Sequence, residues 1–130
     1  MGDFADCFAN VEFGKGLPKV PRLALGTAGL GGVWGKKDEG ESIGVLHDAW
    51  TRGFLLTDTS PNYANAENVV GDALRKWSGA APILTTKTEG YKHYEPADGE
   101  QWIDSMARQY DESVKRFARP IDGLAMHDAN

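Results

Sequence analysis

Phe54-Leu55-Leu56-Thr57-Asp58-Thr59-Ser60-Pro61-Asn62-Tyr63 is an apolar run that stops on a carboxylate and turns at once into a Pro-Asn loop carrying a phenol. Two later segments stop in the same way. Ile83-Leu84-Thr85-Thr86-Lys87 ends on an amine, and Ile121-Asp122-Gly123-Leu124-Ala125-Met126-His127 ends on an imidazole. Each follows a stretch with helical periodicity. Repeated strand–helix alternation predicts parallel strands joined by crossover helices. Parallel strands put all their carboxyl ends on one face. Asp58, Lys87 and His127, with Tyr63 from the first loop, are therefore expected to converge there, and in barrels built this way that face carries the chemistry.

Outward from these runs, four parallel strands are expected near 22–27, 54–58, 83–87 and 122–127, with three helices between them. Residues 1–21 form an extension in which Phe8 to Phe13 and Val20 flank Gly14-Lys15-Gly16-Leu17-Pro18, a hairpin pattern. The first strand leads into a glycine-rich loop, Ala28 to Gly35, that contains Trp34. Asp38 and Glu41 make a capping box for a helix whose inner face is Ile43, Leu46, Ala49 and Trp50, and Gly53 ends it. A second helix from about Asn65 turns Val69, Val70, Ala73, Leu74 and Trp77 inward and stops at Gly79. After a loop holding Tyr91, His93 and Tyr94, Asp98 with Gln101 caps a third helix. Its expected stripe is Trp102, Met106, Tyr110, Val114 and Phe117. No linker or second domain is visible, so the division is an extension (1–21) and one barrel unit (22–130).

Composition narrows the function. A net charge of −5 over 130 residues, with no basic run, argues against nucleic acid or an anionic membrane as the main partner. No apolar stretch approaches the ~20 residues that span a bilayer. Cys7 is the lone cysteine, which excludes an intrachain disulfide and fits a reducing compartment. Met1 to Asp6 lacks a basic segment followed by an apolar run, so no signal peptide is read and the cytoplasm is the expected location.

The four strand-end residues suit acid–base chemistry on a carbonyl. A tyrosine ordinarily holds its proton to a pKa of about 10. A nearby ammonium favours the phenolate and makes the phenol a better acid. A carboxylate anchors the ammonium, and a histidine orients the carbonyl oxygen by donating a hydrogen bond. Tyr63, Lys87, Asp58 and His127 fit these roles. Each alone has a plainer use: Asp58 as a turn former, Lys87 as a solvated cation, Tyr63 as loop packing, His127 as a satisfied structural histidine. The combination at consecutive strand ends is what makes the pattern specific.

Asp58-Thr59-Ser60-Pro61-Asn62-Tyr63, then Glu67 and Gly71-Asp72-Ala73-Leu74, resembles the signature of the aldo-keto reductase superfamily. Thr85-Thr86-Lys87 resembles its lysine strand. Ser113-Val114-Lys115-Arg116-Phe117, Ile121-Asp122 and His127-Asp128 resemble its next helix and histidine strand, and Leu25-Gly26-Thr27 with Gly29, Gly31 and Gly32 its first strand and loop. The resemblance covers about residues 20–130. It implies an α/β fold, the N-terminal half of a (β/α)8 barrel, that binds NADP(H) or NAD(H) without a Rossmann domain. It implies Tyr63 as proton donor supported by Lys87, Asp58 and His127. It also implies a small carbonyl or sugar substrate, with Gly26, Thr27 and Asp58 near the cofactor. Trp34, Tyr63 and His127 would lie near the substrate. Thr59-Ser60-Pro61, the Gly29-Leu30-Gly31-Gly32 loop and His127-Asp128 look closest to the aldose, galactose or fucose dehydrogenase branch.

Two departures stand out. The family commonly has glycine after the tyrosine, where this chain has Ala64. A complete barrel needs about 250 residues, so the chain reads as a truncated half whose missing loops would hold most of the cofactor. Gly26-Thr27-Ala28-Gly29-Leu30-Gly31 is G-x-x-G-x-G rather than the dinucleotide fingerprint G-x-G-x-x-G. Trp34 reads equally as a pocket wall or a rim cover. His93 reads as solvated, His47 as structural, and Glu67 as a charge favouring its helix dipole. Two other classes compete. One is a non-catalytic half-barrel that pairs through its open sheet edges. The other is a Schiff-base aldolase with Lys87 as nucleophile and Tyr63 and His127 as acid and base. A metal site is not expected, since a single histidine ends a strand.

Overall fold

The computed structural model describes residues 9–16, 19–89 and 97–127. Cys7, Tyr91, His93, Tyr94 and Asp128 lie outside these residues. Strands β1 (Asn10–Glu12) and β2 (Lys19–Pro21) form an antiparallel hairpin with Val11 opposite Val20. The chain then alternates: β3 (Ala24–Gly26), α1 (Glu39–Thr51), β4 (Leu56–Asp58), α2 (Ala66–Lys76), β5 (Ile83–Glu89), α3 (Trp102–Phe117) and β6 (Gly123–His127). These four later strands make one parallel sheet in the order β3-β4-β5-β6. This is half of a (β/α)8 barrel. The ladder is shorter than expected at the starts of β3 and β4. It is longer at the end of β5, which runs past Lys87 to Glu89.

Local chemistry explains the helix ends. The Asp38 carboxylate accepts the Glu41 N–H at 2.9 Å, the expected cap of α1. Gly53, at φ +97°, lets the chain leave that helix in the left-handed region open to glycine. Helix α3 starts without the expected cap, because the Gln101 side chain makes no cap hydrogen bond. Instead Glu100 accepts the Ala97 N–H and a two-pronged contact from Arg108.

The two sheet faces differ in kind. One is covered by the helices, and the core there is Ile43, Leu46, Trp50, Val69, Val70, Ala73, Leu84 and Phe117. Trp50 donates its indole N–H to Thr57 Oγ1 at 2.9 Å, so the aromatic enters the core with its polar atom satisfied. The other face is open. Phe13 and Val20 of the hairpin line a cavity of about 720 Å³ there, together with Ala24, Leu56, Ile83 and Gly123 at the strand starts. The hairpin thus faces the open side of the sheet, and the cavity it lines also reaches Gly26 and Asp58 at the ends of β3 and β4. Among the described residues no helix is long and apolar enough to cross a membrane.

The expected stripe of α3 is corrected by the structure. Its buried residues are Ser105, Gln109, Ser113 and Phe117, while Trp102 is 44% exposed. The buried stripe is turned by one residue from the expected one, and polar contacts explain it. Ser113 Oγ and Arg116 Nη1 both reach the buried carboxylate of Glu67, which also accepts Thr86 Oγ1 at 2.7 Å. Glu67 is 2% exposed, so it is a buried bridge between α2, β5 and α3 rather than a dipole charge. Burying a carboxylate is tolerable only with such partners.

Candidate active site

Asp58 is the last residue of β4, paired in register with Gly26 on one side and Thr85 on the other. Its two carboxylate oxygens are divided between two residues of β5. Oδ1 accepts Thr85 Oγ1 at 2.9 Å, and Oδ2 accepts Lys87 Nζ at 2.7 Å. Alternation along β5 makes this double contact automatic. Thr85, Lys87 and Glu89 share the open face, while Leu84, Thr86 and Thr88 are buried beneath the helices. Lys87 Nζ also donates to the Thr59 carbonyl at 2.8 Å. Its ammonium is therefore held at two points.

Tyr63 is delivered by a tight turn. Its N–H bonds the Ser60 carbonyl at 3.1 Å, and its own carbonyl accepts the Ala66 N–H at 2.9 Å, so the tyrosine leads directly into α2. Lys87 Nζ lies 5.1 Å from the centre of the Tyr63 ring. His127 also meets the Tyr63 ring, in a T-shaped contact with centroids 5.6 Å apart and planes at 89°. The structure thus brings Asp58, Lys87, Tyr63 and His127 together at the carboxyl ends of β4, β5 and β6.

One residue of this cluster was missed from sequence. Glu89 is the cross-strand partner of His127 and is 4% exposed. Its Oε1 accepts Ser60 Oγ at 2.7 Å and lies 2.9 Å from His127 Nδ1. Period-two alternation could have found it, since it stands two positions beyond Lys87 on the same strand face. Ending the strand at Lys87 hid it.

A cleft of about 310 Å³ opens beside the cluster, lined by Gly26, Thr27, Ala28, Gly29, Leu30, Trp34, Asp58 and Tyr63. Trp34 stands on its wall, 79% exposed, with its ring against Gly29. Thr27 is fully buried and ties the two strand ends by donating Oγ1 to the Asp58 carbonyl at 3.1 Å. Space is open where a side chain at Gly26 would stand. The lining combines an indole, a phenol and a carboxylate with small and apolar residues. None of the eight lining residues is cationic, so the cleft does not fit phosphate groups. The donor set suits the nicotinamide end of a dinucleotide and leaves its phosphates to other residues.

His47 takes the structural role expected of it. Its Nε2 lies 2.9 Å from the Ala73 carbonyl, and its ring packs near Trp50 and Trp77. Ala64 adopts φ +50°, the region where the family's glycine is favoured, so the departure from glycine leaves strain in the loop. Among the described residues, no group of three or more His, Cys, Asp and Glu is placed to hold a metal ion.

Pyridoxal 4-dehydrogenase of Microbacterium luteolum is 28% identical over 136 aligned positions, 84% of this chain and 40% of that protein. Aldo-keto reductase YhdN of Bacillus subtilis is 39% identical over 74 residues, 54% of this chain and 22% of that protein. Among solved structures, a thermostable aldo-keto reductase in complex with epalrestat superimposes with a TM-score of 0.75 at 23% identity. It covers 94% of this chain and 43% of its own. An aldo-keto reductase of Pseudomonas aeruginosa gives 0.71 at 26% identity, covering 93% and 48%. The chain spans less than half the length of each of these relatives. The model of the Aldo/keto reductase family matches residues 22–130, from the first parallel strand through the histidine that ends the last. By that match the chain belongs to the aldo/keto reductase family.

Proposed function

We propose that this chain carries the acid–base half of a nicotinamide-dependent oxidoreductase that interconverts a carbonyl and an alcohol. The observation that carries the reading is the Asp58–Lys87 pair, closed at 2.7 Å, with Lys87 Nζ 5.1 Å from the Tyr63 ring centre and His127 in contact with the same ring. NADP(H) or NAD(H), when bound, supplies or accepts the hydride. The residues handle the proton. In reduction, the Tyr63 O–H proton passes to the substrate oxygen and leaves a phenolate. Lys87 stabilises that phenolate, and Asp58 with the Thr59 carbonyl holds Lys87 in place. In oxidation the same proton returns to Tyr63. Trp34 forms a wall for the substrate, a small aldehyde, ketone or sugar. The relative named as a dehydrogenase supports this direction of chemistry, and the lone cysteine supports a cytoplasmic setting.

One arrangement weighs against the aldolase. Lys87 Nζ is held by the Asp58 carboxylate and the Thr59 carbonyl, so turning it onto a substrate carbonyl carbon would cost both contacts. The half-barrel interaction reading keeps one support, the open sheet edges at β3 and β6. Tyr63→Phe tests the main reading. It should lower carbonyl reduction by at least ~10²-fold, the usual worth of a general acid, with cofactor quenching of tryptophan fluorescence retained. Undiminished turnover in that variant would place the proton donor elsewhere. Absence of both turnover and quenching in the unmutated protein would favour the interaction reading.

A further inference from the structure

We infer that Glu89 is a positioning residue that fixes the tautomer of His127, placing a proton on Nδ1 and making Nε2 the nitrogen offered to the substrate oxygen. This rests on the catalytic reading above for its consequence, but not for its observation.

Three oxygens crowd Nδ1: Glu89 Oε1 at 2.9 Å, Glu89 Oε2 at 3.1 Å and Ser60 Oγ at 3.3 Å. An ionised carboxylate can only accept. Ser60 has a single hydroxyl proton and donates it to Glu89 Oε1 at 2.7 Å, while its oxygen accepts the Asn62 N–H at 3.2 Å. Every neighbour of Nδ1 is thus an acceptor. A lone pair on Nδ1 would face them all, so the proton must sit there.

The consequence concerns what the ring can do. With Nδ1 protonated, neutral His127 carries its lone pair on Nε2 and accepts a hydrogen bond. Such a ring suits an alcohol, whose O–H it can receive. Donation to a carbonyl oxygen from Nε2 requires the doubly protonated imidazolium. The neutral Nε2–H form, which would donate without an added proton, is the one the Glu89 carboxylate excludes. The charged and titratable groups around the ring are Glu89 from β5, Tyr63 from the turn before α2, and beyond it the Lys87–Asp58 pair.

Nitrogen-15 NMR of the histidine rings in the 130-residue chain reads the tautomer directly and needs neither cofactor nor turnover. The chain has three histidines, and the His127 signals are identified by their loss in His127→Gln. With the rings neutral, His127 should show a protonated Nδ1 and a bare Nε2. In Glu89→Leu the Ser60 hydroxyl is released to donate to Nδ1, and the two ring nitrogens should exchange their signal positions. A protonated Nε2 in the unmutated chain overturns the inference, whether or not the leucine variant folds. So does an unchanged tautomer in a folded Glu89→Leu. Because the Tyr63→Phe assay measures turnover and this one does not, either reading can fail alone.

Discussion

Gly31 lies so close to Tyr63 that a methyl group built on it would overlap the Tyr63 carbonyl oxygen and the Ala66 backbone nitrogen. Its own carbonyl accepts the Asn65 N–H at 3.1 Å. The glycine loop after β3 is therefore packed directly on the turn that presents the phenol. Gly31→Ala should destabilise the fold by about 1–3 kcal/mol, the usual range for overpacking. It should also displace Tyr63. Urea unfolding, with the fluorescence of Trp34 on the adjoining wall as a local reporter, measures both effects. An alanine variant with unchanged stability and emission would show that the two loops are not in contact.

Removing the ammonium should matter more to chemistry than to folding. Lys87→Met takes away the cation beside Tyr63 and leaves the Asp58 carboxylate with Thr85 as a partner. Turnover should fall by ~10²-fold or more, comparable to loss of the acid itself. Because the Asp58 side chain is about a third exposed, water can solvate it, and stability should change by less than about 1 kcal/mol. Steady-state kinetics alongside thermal melting separates the two. A large loss of stability with normal turnover would reverse the assignment.

Two alanines hold left-handed backbone, Ala64 at φ +50° after Tyr63 and Ala118 at φ +54° capping α3. A β-carbon costs roughly 1–2 kcal/mol in that conformation, and glycine recovers part of it against its greater chain entropy. Ala64→Gly and Ala118→Gly should each stabilise the chain by about 0.5–1 kcal/mol. Denaturant midpoints of the single and double variants test this, and the sites should add.

The amino end of α3 carries a pH-dependent contribution. Arg108 hydrogen bonds, and secondarily the Ala97 N–H, hold the Glu100 carboxyl below its ordinary value. A lowered carboxylate pKa stabilises the fold above the unfolded value, about 4.3 for glutamate. That stability is lost as pH falls through the lowered value. Comparing unfolding at pH 6 and pH 3, Glu100→Gln should lose part of the pH dependence and should converge on the unmutated chain at the acid end. Identical pH dependence in both would remove Glu100 from the account.

Self-association should follow from β6. Leu124 and Met126 pair with Thr86 and Thr88, so they lie on the helix side of the sheet, yet they are 48% and 51% exposed. An edge strand with an uncovered apolar side invites pairing. The 130-residue chain should therefore associate and bind nicotinamide cofactor weakly. Leu124→Lys with Met126→Lys should shift it toward monomer in sedimentation or light scattering. A sharply melting, tightly cofactor-binding monomer would contradict this.

The row of strand ends was legible because each run passes from apolar residues to one ionisable side chain without transition. Asp58, Lys87 and His127 needed only the knowledge that parallel strands share a carboxyl face. The helix layer was harder. Periodicity places aromatic and aliphatic residues inside, but α3 buries Ser105, Gln109 and Ser113 because Glu67 and the end of β5 need partners. A polar residue whose burial depends on a distant partner carries no mark of it in its own neighbourhood, which is why Glu67 read as a helix-dipole charge. Glu89 escaped for a different reason, because the strand was ended two residues early at Lys87.

Gln109 gives β5 an unusual finish. The Thr85 carbonyl takes the N–H of Thr59, so odd residues of β5 turn their backbone toward β4, which has ended before Glu89. There the Gln109 amide steps in, with Oε1 accepting the Glu89 N–H at 2.6 Å and Nε2 reaching its carbonyl at 3.4 Å. A side chain thus stands in for one rung of an absent strand. The last step of the strand, and with it the reach of Glu89 toward His127, is set from the outer layer of the molecule. Drift at this position across related chains would retune the inner surface without altering any residue that lines it.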